Sequence, residues 1–240
     1  MRTTSLGKRS EIVTKDPIQE KDNVTVILPY ASDKEYYIED VGAVAKKPVY
    51  AFLKRAFDIV FALMLLLLLA VPMLIIAAIV KLSSKGPALY YQARLGLNGK
   101  PFNIIKFRTM YEDAESDGMR WSMGDDDPRI TPVGRVLRKT HLDELPQMWC
   151  ILTGDMSIVG PRPERPEYYD QFEQYIHGFR QRLKVQPGMT GLAQVRGGYF
   201  LKPEEKILYD VEYIKTRSVG LDLRILFETV KVVFCCEGVK

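Results

Sequence analysis

The residue pattern predicts an α+β protein: a membrane re-entrant helix, then a small, mostly helical cytoplasmic domain with a β-hairpin and interfacial amphipathic helices. Three observations carry this. From Ile59 to Val80 run 22 residues without a charged or hydrogen-bonding side chain, long enough for a helix to cross the hydrocarbon core of a bilayer. Two extended stretches, Ala88 to Arg94 and Pro101 to Arg108, flank Asn98-Gly99, a dipeptide suited to hairpin turns because both residues accept positive φ. Tyr168, Phe172, Tyr175, Ile176, Phe179 and Leu183 recur at helical spacing, which predicts an amphipathic helix.

Length and composition set the bounds. The 240 residues allow one domain of ordinary size and an appendage. With 47% hydrophobic and 27% charged residues the chain is neither disordered nor fibrous. Lys and Arg exceed Asp and Glu by 34 to 30, too mild a surplus to suggest nucleic acid, and no motif for binding it is present. Cys150, Cys235 and Cys236 have no metal-ligand spacing and read as reduced, packed thiols in a cytosolic setting.

In chain order, residues 1–48 are polar apart from clusters such as Val24 to Leu28, and a flexible or loosely docked extension is expected. A secretory signal is not, because the strongly apolar run begins too late. The membrane unit is placed at 49–85. Lys54 and Arg55 precede its apolar run and Lys81 and Lys85 follow it, so the positive-inside rule selects no orientation. Basic flanks on both sides suit a segment that returns to its own side. Pro72 breaks one backbone hydrogen bond and crowds the preceding turn, so a bend is expected there. A kinked spanning helix is the alternative.

The domain at 86–240 opens with the hairpin. Lys106 and Arg108 lie two apart on its second arm and share a face, which makes either a grip for phosphate oxygens or a solvated edge. Glu112 to Arg129 is an acidic surface loop with Asp125, Asp126 and Asp127 before Pro128. A short basic helix over Gly134 to Lys139, with Arg135 and Arg138, leads into the adjacent acids Asp143 and Glu144. Such a pair is either a solvated helix start or a site where repulsion is relieved by a cation or by a phosphate with its metal. Arg162 follows in a stiff Gly-Pro-Arg-Pro turn. The Tyr168 to Leu183 stripe faces either the core or a membrane interface. Pro187 to Gly191 and Gly197-Gly198 bracket an expected strand at Leu192 to Val195, and their glycines suit a close ligand or a tight turn. Leu221 to Phe234 closes the chain as a helix too short to span, packing on the domain or lying in the interface.

From about Lys54 onward the chain resembles the bacterial sugar transferases known as small monotopic phosphoglycosyl transferases. The matching runs are Lys54 to Asp58, Lys106-Phe-Arg-Thr-Met110, Leu142-Asp-Glu-Leu-Pro-Gln147, Gly154 to Ser157, Val159-Gly-Pro-Arg-Pro163 and Pro187 to Gln194. A single membrane segment behind a polar extension looks like the small form. The resemblance implies a re-entrant helix on the cytoplasmic face of the inner membrane, Mg²⁺, a UDP-sugar donor and undecaprenyl phosphate as acceptor. It also implies Asp143 as nucleophile and Glu144 as metal ligand. Lys106, Arg138 and Arg162 would hold the donor's phosphates or uridine, and Asp210 would be a further active-site acid. His141 stands where such proteins often have Ser or Thr, Trp149 where Asn is usual, and Val71 where some have a serine before the proline. His141 reads as a packing or hydrogen-bonding residue, since carboxylate attack on phosphorus needs no general base.

The expected function is transfer of a hexose-1-phosphate, from a donor such as UDP-glucose or UDP-galactose, to undecaprenyl phosphate with release of UMP through a covalent aspartyl intermediate, as the first membrane step of polysaccharide or glycoconjugate assembly. UDP-N-acetylhexosamines are the nearest alternative donors. The rival functions are a glycosyltransferase that releases UDP and a non-catalytic membrane scaffold. Self-association is left open.

Overall fold

The computed structural model describes residues 34–116, 127–197 and 201–235. The Val24 to Leu28 cluster, Asp125, Asp126, Gly198 and Cys236 lie outside them.

The apolar run folds as two helices, α1 (Pro48–Leu68) and α2 (Ala70–Ser83), bent by 64° about Leu69. Pro72 is the cause, but the break lies ahead of it. A proline ring collides with the carbonyl four residues back, here that of Leu68. The chain therefore restarts its helix at Ala70, which puts Pro72 in a first turn, where an N–H would have no acceptor within the helix. The ladder resumes with Met73 N donating to Leu69 O at 2.8 Å. Neither helix alone is long and apolar enough to cross a membrane, although the bent pair passes by length and composition. Phe52, Leu67, Val71, Leu74 and Leu82 are exposed along it.

Charges near the start of α1 fasten it to the domain instead of merely flanking the apolar run. Arg55 donates to the carbonyls of Ile151 (2.7 Å) and Leu152 (2.8 Å), near the end of a short helix, α4 (Met148–Thr153). Lys54 pairs with Asp222 at 2.9 Å. Buried Asp58 accepts from Ile158 N at 2.9 Å.

The hairpin forms as expected. β2 (Leu89–Leu95) and β3 (Pro101–Phe107) pair antiparallel from Leu89 opposite Phe107 to Leu95 opposite Pro101. Asn98 and Gly99 both take positive φ, 55° and 77°. The glycine-rich region differs from expectation. Its strand is β6 (Gly188–Thr190), parallel to β4 (Ser157–Val159), and Leu192–Gly197 forms a helix, α6. The strand stands where backbones nearly touch: a Cβ on Gly188 would lie 2.0 Å from Gly160 N. Past Gly191, Leu-Ala-Gln favours a helix once no ladder remains.

The aromatic stripe is not one helix. α5 (Pro166–Tyr175) stops where Ile176–His177 forms β5, parallel to β1 (Tyr36–Tyr37). Gly178 then turns at φ 99°, and Phe179–Lys184 continues as a 3-10 helix. Glu173 caps that turn by accepting from Gly178 N (2.8 Å) and Arg180 N (2.9 Å). The stripe still faces one way: Tyr168, Phe172, Ile176, Phe179 and Leu183 share a buried cluster with Ile207 and Val211 of α7 (Pro203–Thr216). It is core, not an interfacial face. Within the expected extension, Tyr36, Ile38 and Val41 pack against this cluster, and Val44 packs against a second one. Ile38 is buried, and Gln181 accepts from Val41 N at 2.6 Å and donates to Glu39 O at 3.2 Å. The second core joins Ala62 of α1, α4, β4 and Ile225 of α8 (Val219–Cys235). The opposite face of α8 exposes Leu223, Phe227 and Val230.

Candidate active site

Three elements converge on the acidic pair. The basic helix α3 (Pro132–Lys139) starts on a cap, Thr131 Oγ1 accepting from Gly134 N at 2.9 Å, and ends at Thr140. His141, at φ 57°, then reverses the backbone into a 3-10 helix, Leu142–Gln147. Asp143 and Glu144 stand in its first turn, each only 7% exposed. That burial overturns the reading as a solvated helix start. From β3, Lys106 Nζ reaches Glu144 Oε1 at 2.6 Å. From the turn after β4, the Arg162 guanidinium donates to both oxygens of Glu144, at 3.3 Å to Oε2 and closer to Oε1, and to Met189 O at 3.3 Å.

The two acids have opposite electrostatics. Burial would raise Glu144, but Arg162 and Lys106 outweigh it and hold the carboxyl well below its usual range. Burial, then the Glu144 charge, pushes Asp143 up to about 6 from 3.8, against the pull of Lys106, Arg162 and Arg138. Burial also lowers Lys106 despite its acidic partner, and it lowers His141 from 6.5, which favours the neutral imidazole. The arrangement holds one carboxylate kept ionised by the cations around it and, beside it, a second whose negative charge lacks comparable partners. An ionised carboxylate of that kind can act as a nucleophile, and the cations suit a polyanion.

Of the sequence-predicted residues, Asp143, Glu144, Lys106 and Arg162 come together, and Arg138, in the last turn of α3, bears on Asp143 through its charge. Arg108 does not join them. β3 ends at Phe107, so the alternation that placed Arg108 on the Lys106 face stops short of it. Its guanidinium instead donates to the carbonyls of Ser84 (2.9 Å), Val80 (3.4 Å) and Lys85 and to Ser84 Oγ (2.9 Å), satisfying the end of α2. Asp210, on α7, is 1% exposed and pairs with Arg182 at 2.7 Å. Sequence reasoning passed over Asp58, Glu164, Arg94 and Arg182. Asp58 had a signal: it is the only charged residue between Arg55 and Lys81, and an acid in an apolar helix marks a polar contact. The other three are ordinary surface residues by pattern.

Among the described residues no three His, Cys, Asp or Glu side chains stand together as a metal cage. The acids present fit an ion of the magnesium kind, which takes one or two carboxylates and completes its shell with substrate phosphate oxygens and water.

A family model described as bacterial sugar transferase matches residues 49–236. The chain is 40% identical over 203 residues to the UDP-N-acetylgalactosamine-undecaprenyl-phosphate N-acetylgalactosaminephosphotransferase of Aeromonas hydrophila, covering 83% of this chain and 48% of that protein. It is 43% identical over 206 residues to the UDP-glucose:undecaprenyl-phosphate glucose-1-phosphate transferase of Escherichia coli K12, covering 80% and 44%. It is 46% identical over 185 residues to the protein of the same name from Caulobacter vibrioides, covering 74% and 68%. The chain thus spans about half the length of the first two relatives.

Proposed function

The chain belongs to the bacterial sugar transferase family, and from that premise we propose that it moves a sugar-1-phosphate from a UDP-sugar to undecaprenyl phosphate and releases UMP. The observation that carries this is the buried Asp143–Glu144 pair, ionically divided and faced by Lys106 and Arg162. A scaffold has no use for a buried acid whose charge is disfavoured. A UDP-hexose is the proposed donor, supported by the glucose named for two of the three relatives.

An ionised Asp143 oxygen attacks the β-phosphorus of the donor. The bond from that phosphorus to the bridging oxygen breaks, and UMP leaves with the electron pair. A phosphate oxygen of the lipid then attacks the same phosphorus and expels the carboxylate. Splitting the transfer lets a soluble donor and a lipid acceptor use one small site in turn. Charge is the obstacle, since both partners in the first step are anionic. Lys106, Arg162 and Arg138 oppose it, and their positive charge is worth most where water is excluded. Mg²⁺ held by Glu144 would supply further neutralisation of the diphosphate.

Mixing the chain with a panel of UDP-sugars and Mg²⁺ but no lipid should release a burst of UMP, at most one per site, and leave a sugar-phosphate adduct on the Asp143 peptide. UDP as the product would favour the simple glycosyltransferase. Turnover only with both substrates present, without an adduct, would make transfer direct.

The α1–α2 pair is proposed to enter and leave the inner membrane on its cytoplasmic face. The 64° bend and the exposed apolar side chains support this, as does the need for both substrates' charged groups to meet one site. Single cysteines at Lys46 and Lys85, in a chain without its native cysteines, should both escape an impermeant thiol reagent in intact spheroplasts and both react after lysis. Labelling of one alone before lysis would mean a spanning pair.

A further inference from the structure

We propose that Asp210 and Arg182 form, with Glu164 and Arg94, a buried clamp that positions Arg162 over the acidic pair, so that Asp210 serves the reaction without touching a substrate. The proposal rests on the sugar-phosphate transfer reading above.

The geometry is a grip on three consecutive carbonyls. Arg182 donates to Arg162 O at 2.9 Å, Arg94 donates to Pro163 O at 3.1 Å, and Leu95 N donates to Glu164 O at 3.2 Å. Two prolines stiffen the same segment, Pro161 and Pro163. Its only long side chain directed at the acids, Arg162, is thereby launched from a backbone fixed on both sides. The grip needs Arg182 charged and oriented. Its side chain is fully buried, with Asp210 at 2.7 Å, Glu164 at 3.9 Å and its guanidinium 4.9 Å from the centre of the Phe179 ring. Glu164 is in turn balanced by Lys206 at 3.0 Å and Arg94 at 3.4 Å.

Burying so many charges is an expensive way to stabilise a core, since apolar residues of similar volume often serve as well or better. What the ion pair to Asp210 supplies instead is a fixed place for the Arg182 guanidinium, whose Nη2 reaches the Arg162 carbonyl. Asp210, 1% exposed on α7, has no surface to offer a donor sugar or a lipid phosphate. Its route to the chemistry runs through Arg182 and the Arg162 carbonyl.

A double-mutant cycle in the full, membrane-bound chain tests this, with UMP release as the readout. Asp210→Asn should lower kcat/KM about 10- to 100-fold, the usual cost of misplacing a group near the chemistry. In an Arg162→Ala background the same change should cost less than about twofold, because non-additivity marks residues that act as one unit. Asp210→Glu, which keeps the charge, should recover most of the activity. Equal losses in both backgrounds would overturn the clamp, for Asp210 would then act independently of Arg162. Should Asp210→Asn fail to fold, Arg94→Lys carries the same cycle from a different element. A readout without turnover separates this proposal from the functional reading. The Arg162 side-chain ¹⁵Nε resonance, assigned by its absence in Arg162→Ala, should shift or broaden in Asp210→Asn or Arg94→Lys. An unchanged resonance would defeat the clamp, whether or not any UDP-sugar is turned over.

Discussion

Asp143→Asn should abolish turnover and at the same time make the protein more stable. The first half follows from chemistry, since an amide is a poor nucleophile. A loss on the order of 10⁴-fold or more is expected, as when other covalent catalysts lose their nucleophile. The second half follows from burial. Burial, and then the Glu144 charge beside it, pushes the carboxyl up to about 6 in the folded chain from an ordinary 3.8. Between those values the folded state keeps a proton that the unfolded state has given up, so wild-type stability falls as pH rises through the window. Above the raised pKa the full penalty is present, on the order of 1–3 kcal/mol. The neutral amide escapes it. At pH 7.5 the variant should therefore melt several degrees higher, and the gain should shrink as pH falls from 6 towards 4. Thermal melts of both proteins across that range check this. A variant no more stable than wild type at pH 7.5 would mean that Asp143 is not the strained group described here.

Glu144→Gln should do the opposite to stability. This carboxylate is the shared counter-ion of Lys106, at 2.6 Å, and Arg162. Removing its charge leaves two cations facing each other in a buried place. Breaking a buried pair from one side typically costs about 3–5 kcal/mol, and a melting point lower by roughly 10 °C is expected. Activity should fall about 10²- to 10³-fold, the scale for losing one preorganised electrostatic group. The Asp143 carboxyl, freed of its like-charged neighbour and given Lys106 and Arg162, should titrate lower than in the wild type. The pH dependence of stability that Asp143 causes should flatten accordingly. Two adjacent acids with opposite stability effects would be hard to explain as a solvated pair, for which both substitutions should be nearly neutral. If both variants melt within a degree of wild type, the site is not built as described.

The difference between the two acids was not available from the sequence, which presents them as neighbours with one chemistry. Burial and charge separate them, and both depend on strands and turns distant in the chain. Lys106 comes from the hairpin and Arg162 from the turn after β4. Gly160 lets that turn sit against Gly188, where even a methyl group would not fit.

Local sequence chemistry was enough for several elements. The Asn98-Gly99 pair located the hairpin's reversal, because both residues accept positive φ. Pro72 guaranteed a break, because a proline ring and an intact ladder cannot coexist. That Lys106, Asp143, Glu144 and Arg162 belong together was legible because each lies in a short run that carries the family resemblance. Other features were decided by tertiary structure. The stripe from Tyr168 to Leu183 keeps a helical period in sequence, yet the chain breaks at Ile176 because a strand 140 residues earlier in the chain, Tyr36 opposite Ile176, takes up its backbone hydrogen bonds. Arg108 shares a strand pattern with Lys106 but is claimed by the unsatisfied carbonyls ending α2. Local pattern determines which conformations a segment can adopt; which distant donor or charge arrives to satisfy it is set only when the chain closes on itself, because a buried polar group without a partner costs more than any local preference supplies.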